Sequence, residues 1–121
     1  MARRLRELSP SAVTAVERLR ATAQSLAGVV ETVTFGNPTF RVGLETIAVV
    51  DRYDGRECLW LRVSPEERGL LLKQPGWFRS PYDPQQVALC CALDQFDWRR
   101  LRRRLRLSYA LAKAKKERKK Q

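Results

Sequence analysis

Histidine is missing from this chain of 121 residues, and with it the side chain most often used as a general base or a metal ligand. Cysteine is scarce: Cys58, Cys90 and Cys91 are the three. They form no Cys-x-x-Cys redox pair, and as a zinc set they lack a fourth ligand. Their number is odd, two are adjacent, and all lie in strand-like runs, so they are expected to be reduced packing residues of a cytoplasmic protein. No glycine-rich phosphate loop is present, because "FGNPTFRVG" lacks the Gly-Lys-Ser/Thr ending. Nothing approaches the ~18 consecutive apolar residues of a membrane span. "MARRLREL" runs into polar sequence without the apolar stretch of a signal peptide. The acid pairs Glu66–Glu67 and Asp94–Asp97 stand at helix starts, where the dipole favours negative charge. No catalytic residue, cofactor or metal site is expected, and the chain reads as a non-enzyme.

Positive charge is present in excess, and it is unevenly placed. The net charge is +11. Residues 1–98 hold twelve Lys or Arg against twelve Asp or Glu, so that part is balanced. Residues 99–121 hold the other twelve bases and one acid, Glu117. A single-sign block at a terminus reads as an arm for polyanions. The other reading is a solubilising tail.

Periodicity divides the chain into helices at its ends and strands between them. "SPSAVTAVERLRATAQSLAG" places Ala12, Val16, Leu19, Ala23 and Leu26 on one stripe, stopping near Gly28. "VVETVTF", "TFRVG", "TIAVVDRY" and "ECLWLRV" read as strands, with turns at Gly36–Pro38 and Asp54–Gly55. "SPEERGLLLKQ" predicts a short helix capped by Ser64, with Pro65 in its first turn and Glu67 completing a capping box. "PGWFRSPYDP" reads as an irregular loop and "QVALCCALD" as a last strand. Asp97 then caps a final helix with the stripe Trp98, Leu101, Leu105, Tyr109 and Ala112.

Strand parity assigns two faces. Phe40, Val42, Leu59, Leu61 and Val63 fall together and should meet the helices. Thr39, Arg41, Cys58, Trp60 and Arg62 fall opposite, on a face an antiparallel sheet can leave to solvent. Arginines interleaved with a tryptophan suit phosphate contact and base stacking; they equally suit a wet face whose arginines cover the indole.

In order and spacing, "TVTFGNPTFRV", "AVVDRYDGRECLWLRVSPEER", the "WF" before a "PY" loop and the closing "DWRRLRRRLRLSY" resemble the MmcQ/YjbR-like proteins over roughly residues 26–112. The resemblance implies an α+β fold, a frataxin-like sandwich also called a double wing, with first and last helices on one face of an antiparallel sheet. It also implies DNA binding. Asn37, Pro38, Thr39 and Phe40 match the shared turn, Arg41 a position that tends to be basic, and Trp60 and Arg62 the next strand's Trp and base. Two loops depart from the family pattern. Gly43-Leu44-Glu45 replaces a Gly-Gly-Lys run, and Asp83-Pro84-Gln85-Gln86 replaces a Gly-containing basic or aromatic stretch. Iron handling, another association of frataxin-like folds, would need an acidic ridge, and this chain has the opposite sign.

The expected architecture is one α+β domain over residues 1–112 with a basic arm over 113–121. The apolar stripe docks the last helix, leaving Arg99, Arg100, Arg102, Arg103, Arg106 and Lys113 outward. Lys115, Lys116, Arg118, Lys119 and Lys120 continue past the core. These bases supply nucleic-acid affinity without sequence choice, with DNA preferred over RNA. Arg41, Trp60 and Arg62 form a second site on the open face. A membrane surface is disfavoured as partner, since the apolar arc is needed for the sheet. Leu107 and Leu111, on the basic side, could seat a partner or a second copy. The alternative function is a protein–protein adaptor whose basic tail only solubilises; oligomeric state is left open.

Overall fold

Ser9 starts the first helix in the computed structural model, which describes residues 4–118. Its hydroxyl accepts from the Ala12 N–H, and Pro10 occupies the first turn of α1 (Pro10–Ala23). The helix ends before Gly28 because Thr22 and Ser25 hydroxyls bond the carbonyls of Arg18 and Thr22, competing with another turn. Leu26 leaves the helix yet still packs on the core.

Four strands follow as hairpins: β1 (Val29–Thr34), β2 (Asn37–Val42), β3 (Glu45–Tyr53) and β4 (Arg56–Arg62). Asp54 and Gly55 have φ of 52° and 76°, the positive values a two-residue type I′ turn needs. The first turn is not at Gly36–Pro38 as expected. It is Phe35–Gly36, with φ of 51° and 81°, and Thr34 pairs with Asn37 while Val33 pairs with Pro38. Proline is tolerated there because the ladder to β3 begins only at Thr39 and Val49.

Helix α2 (Pro65–Leu72) is capped by Ser64, whose hydroxyl accepts from the Glu67 N–H at 3.3 Å. The expected irregular loop contains a short strand, β5 (Trp77–Phe78), paired with β6 (Ala88–Ala92) through Trp77–Cys91 and Phe78–Cys90. The six strands lie in the order β1-β2-β3-β4-β6-β5, every pair antiparallel. Asp97 accepts from the Arg99 N–H and caps a 3-10 turn, Trp98–Arg100, which runs into α3 (Leu101–Arg118).

The fold is α+β, with α1 and α3 packed on one face of the sheet. Ala15 and Leu19 of α1 and Leu101, Leu105 and Ala112 of α3 meet Phe40, Val42, Leu59 and Leu61 there. Parity therefore placed those four sheet residues correctly. Val63, just beyond the end of β4, also meets a helix, packing with Leu71 of α2 and Leu89 in a smaller cluster. Cys91 faces the main core, and burial pushes its thiol up to about 12. All three cysteines are buried free thiols.

One irregularity matters for the site. Phe40 pairs with Ala48 but Arg41 with Thr46, so Ile47 is an extra residue in β3. The shift reverses parity for the start of β3. Glu45 comes opposite Val42, on the side of the helices.

Candidate nucleic-acid interface

The last helix presents its bases in three ways. Arg99 and Arg100 are exposed and reach their own cap, Asp97, at 3.0 and 3.3 Å. The Arg99 guanidinium holds the Asp97 carboxyl below its ordinary range. Exposed pairs of this kind are weak and exchange readily for another anion. Arg102, Arg103 and Arg106 are exposed and meet no carboxylate among the described residues. Arg104 points inward instead, its side chain 12% exposed, and Nη2 lies 2.6 Å from Glu67 Oε2. Lys113 is half-buried, with its ammonium 6.0 Å from the centre of the Tyr109 ring. The helix is seated by its expected stripe and by two further bonds: Ser108 Oγ donates to the Arg62 carbonyl and Tyr109 OH to the Ala27 carbonyl, each at 2.6 Å.

The arm expected from residue 113 onward is helical to Arg118. Lys115 Nζ lies 3.4 Å from Glu45 Oε2 and donates to Gln85 Oε1 at 3.3 Å. Lys116 lies along Gly43, where a Cβ would sit 3.1 Å from its Cδ and Cε. Both lysines are therefore folded against the domain and do not extend past it. The cause is the bulge at Ile47, which turns Glu45 toward α3 as a buried counter-charge. Lys119 and Lys120 lie outside the described residues.

Arg62 is not an open-face residue. It is 8% exposed, Nε donates to the Thr46 carbonyl at 2.9 Å, and Nη2 lies 3.4 Å from Glu45 Oε2. Burial lowers its pKa, and Glu45 offsets part of that shift. Arg62 and Lys115 thus share one carboxylate. Arg41 is half-buried; Nη2 donates to Thr34 Oγ1 at 3.1 Å, while Nε is buried with no partner among the described residues.

Trp60 is half-buried beside Val49 and Cys90, its register neighbours. The face around it is not a flat wet sheet. Thr39, Cys58 and Cys90 are fully buried, and Trp60, Phe35, Tyr53 and Tyr82 line a concavity of about 630 Å³. Tyr82 comes from the loop after β5, its ring centre 5.7 Å from that of Tyr53. Sequence reasoning missed Phe35 and Tyr82, which are 98% and 80% exposed. The signal for Phe35 was a bulky residue in the first position of a two-residue turn, where φ must be positive.

The concavity and the arginine ridge lie on opposite faces of the sheet. The eleven expected binding residues therefore do not converge. Arg99, Arg100, Arg102, Arg103, Arg106 and Lys113 share one helix; Lys115, Lys116 and Arg62 gather near Glu45 and Gly43; Trp60 stands on the far face, with Arg41 beside Thr34 of the cavity wall.

Asn37 joins the segments that border the cavity. Arg6 Nε donates to Asn37 Oδ1 at 2.6 Å, Asn37 Nδ2 to Asp51 Oδ1 at 3.0 Å, and Tyr53 OH to Asp51 Oδ2 at 2.7 Å. Tyr53 also meets Ser80 Oγ at 3.1 Å. Burial raises the Tyr53 pKa, keeping the phenol a neutral donor to Asp51. Asn37 thus ties the N-terminal segment to β3, and Tyr53 carries the network on to the closing loop through Ser80.

An antiparallel sheet carrying a helix on each end of its sequence, with a cationic outer ridge, defines a small α+β protein. A model of the YjbR family matches residues 24–111, most of the chain, and the chain belongs to that family. No curated protein and no solved structure matches it. No helix among the described residues is long and apolar enough to cross a membrane.

Proposed function

We propose that this is a non-enzymatic nucleic-acid-binding protein that grips the phosphate backbone of duplex DNA through α3, with little sequence preference. One observation carries the reading. Among the described residues, Arg102, Arg103 and Arg106 stand exposed without a carboxylate, although the neighbouring Arg104 is held by Glu67 at 2.6 Å. Like charges at three- and four-residue spacing repel along a helix. Phosphates relieve that repulsion, and binding releases condensed counterions. The buried stripe fixes the helix as a rigid bar, so the cations are displayed at little further cost in ordering.

A duplex titration at several salt concentrations tests the reading. If the six outward bases reach phosphates, log K against log salt falls with a slope of about −5. Replacing Arg102, Arg103 and Arg106 together by Gln weakens binding and makes the slope shallower by about 2.7. An unchanged affinity and slope in the triple variant would assign the ridge to solubility.

A further inference from the structure

The concavity on the sheet face away from α1 and α3 has a composition that the backbone-gripping ridge does not explain. Four aromatic residues line it: Phe35, Tyr53, Trp60 and Tyr82. Its volume, about 630 Å³, lies within the range of small-ligand sites. Among the described residues, the Trp60 indole N–H has no hydrogen-bond partner, so it is an uncommitted donor. Thr34 and Thr46 add hydroxyls to the wall.

The rim carries an unpaired positive charge. Asp51 is occupied by Asn37, by the Arg52 backbone N–H at 2.7 Å and by Tyr53. The exposed guanidinium of Arg52 meets no carboxylate among the described residues. Arg41, bonded to Thr34 of the wall, keeps a buried Nε–H without an acceptor among the described residues.

Phe35 supplies an independent observation. A phenyl side chain with φ of 51° occupies a position suited to Asn or Gly, and it is 98% exposed. Such strain at an exposed aromatic points to a contact made outside the chain.

We propose that this concavity binds one nucleotide unit: a planar base lodged among Trp60, Phe35 and Tyr82, with its phosphate toward Arg52. The aromatic rings call for a flat, π-bearing ligand, and the cations and free donors call for an attached anion. The site is separate from the α3 ridge and stands or falls independently of it. A free mononucleotide and a nucleotide within a single strand present the same chemistry.

The test is a tryptophan-fluorescence titration of the full chain in the background of the Arg102, Arg103 and Arg106 to Gln triple variant, which removes three of the six outward bases of the ridge. Adenosine monophosphate, adenosine, inorganic phosphate and a short oligoadenylate are the probes. Adenosine monophosphate should quench saturably, adenosine should bind several-fold more weakly, and phosphate alone should leave the emission unchanged. Tighter binding of the oligomer would identify a strand as the source; binding of the mononucleotide alone would identify the free ligand. Phe35→Asn and Tyr82→Ala touch exposed side chains, and each should lower affinity by roughly tenfold. Arg52→Gln should weaken the mononucleotide but not adenosine. Absence of quenching by both nucleotide probes would overturn the proposal, as would equal quenching in the Phe35 and Tyr82 variants. It would also be overturned if the protein sedimented as a dimer that Phe35→Asn dissociates, since a second copy would then fill the cavity.

Discussion

Lys115 Nζ and Arg62 Nη2 each lie 3.4 Å from the same atom, Glu45 Oε2. The carboxylate comes from the β2–β3 hairpin, the guanidinium from β4 and the ammonium from the last two turns of α3. One buried acid therefore joins three parts of the fold, and it meets both Lys115, which the sequence assigns to an outward arm, and Arg62, which it assigns to the open sheet face.

Replacing Glu45 by Gln should be strongly destabilising, because Arg62 would remain buried without its counter-charge. The expected loss is about 3 kcal/mol, read as a lower urea midpoint with an unchanged slope. A loss below about 1 kcal/mol would show that Arg62 finds water or Thr46 sufficient. Truncation after Ala112 removes Lys115 as well, so that variant should lose stability together with DNA affinity.

Arg103 and Arg104 are adjacent in sequence and should respond differently to the same substitution. Arg104→Gln breaks the bond to Glu67 that ties α3 to α2, and should cost about 1–2 kcal/mol. Arg103→Gln should change stability by less than about 0.5 kcal/mol while reducing the DNA salt slope by about 0.9. Thermal melts and duplex titrations of the two variants side by side decide it.

Phe35→Asn converts the first hairpin to an Asn-Gly type I′ turn. Removing a strained phenyl residue that is almost wholly exposed should raise stability by about 1 kcal/mol. A fall in stability would mean that the ring contributes packing to the fold, against its exposure.

Acid should loosen the N-terminal segment through Glu57. Burial pushes this carboxyl up, but the Ser9 hydroxyl and the Arg6 guanidinium, at 3.3 Å, outweigh it and hold the pKa below the ordinary glutamate value. A depressed folded-state pKa contributes stability above the unfolded value and loses it as pH falls through the folded value. Wild type and Glu57→Gln should therefore differ at neutral pH, with the difference shrinking as pH falls below the ordinary glutamate value of about 4.3 and vanishing below the depressed folded-state value. Parallel stability curves down to acid would rule out this linkage.

The sequence by itself determined the three α-helices, five of the six strands and the sign of the surface, missing only the short β5. Periods of two and three-to-four residues placed Phe40, Leu59 and Leu61 against Leu101 and Leu105, because alternation and helical stripes follow from local backbone geometry. The charge block was countable without coordinates, and Arg102, Arg103 and Arg106 do stand outward. Only the tertiary structure decided which charges are spent within the chain. One extra residue at Ile47 turned Glu45 inward, and that captured Lys115 and buried Arg62. No local pattern marks such a bulge, since its effect is realised across strands. The aromatic cavity was equally hidden, because Phe35, Trp60 and Tyr82 are distant in sequence and meet only when the sheet and its closing loop are assembled.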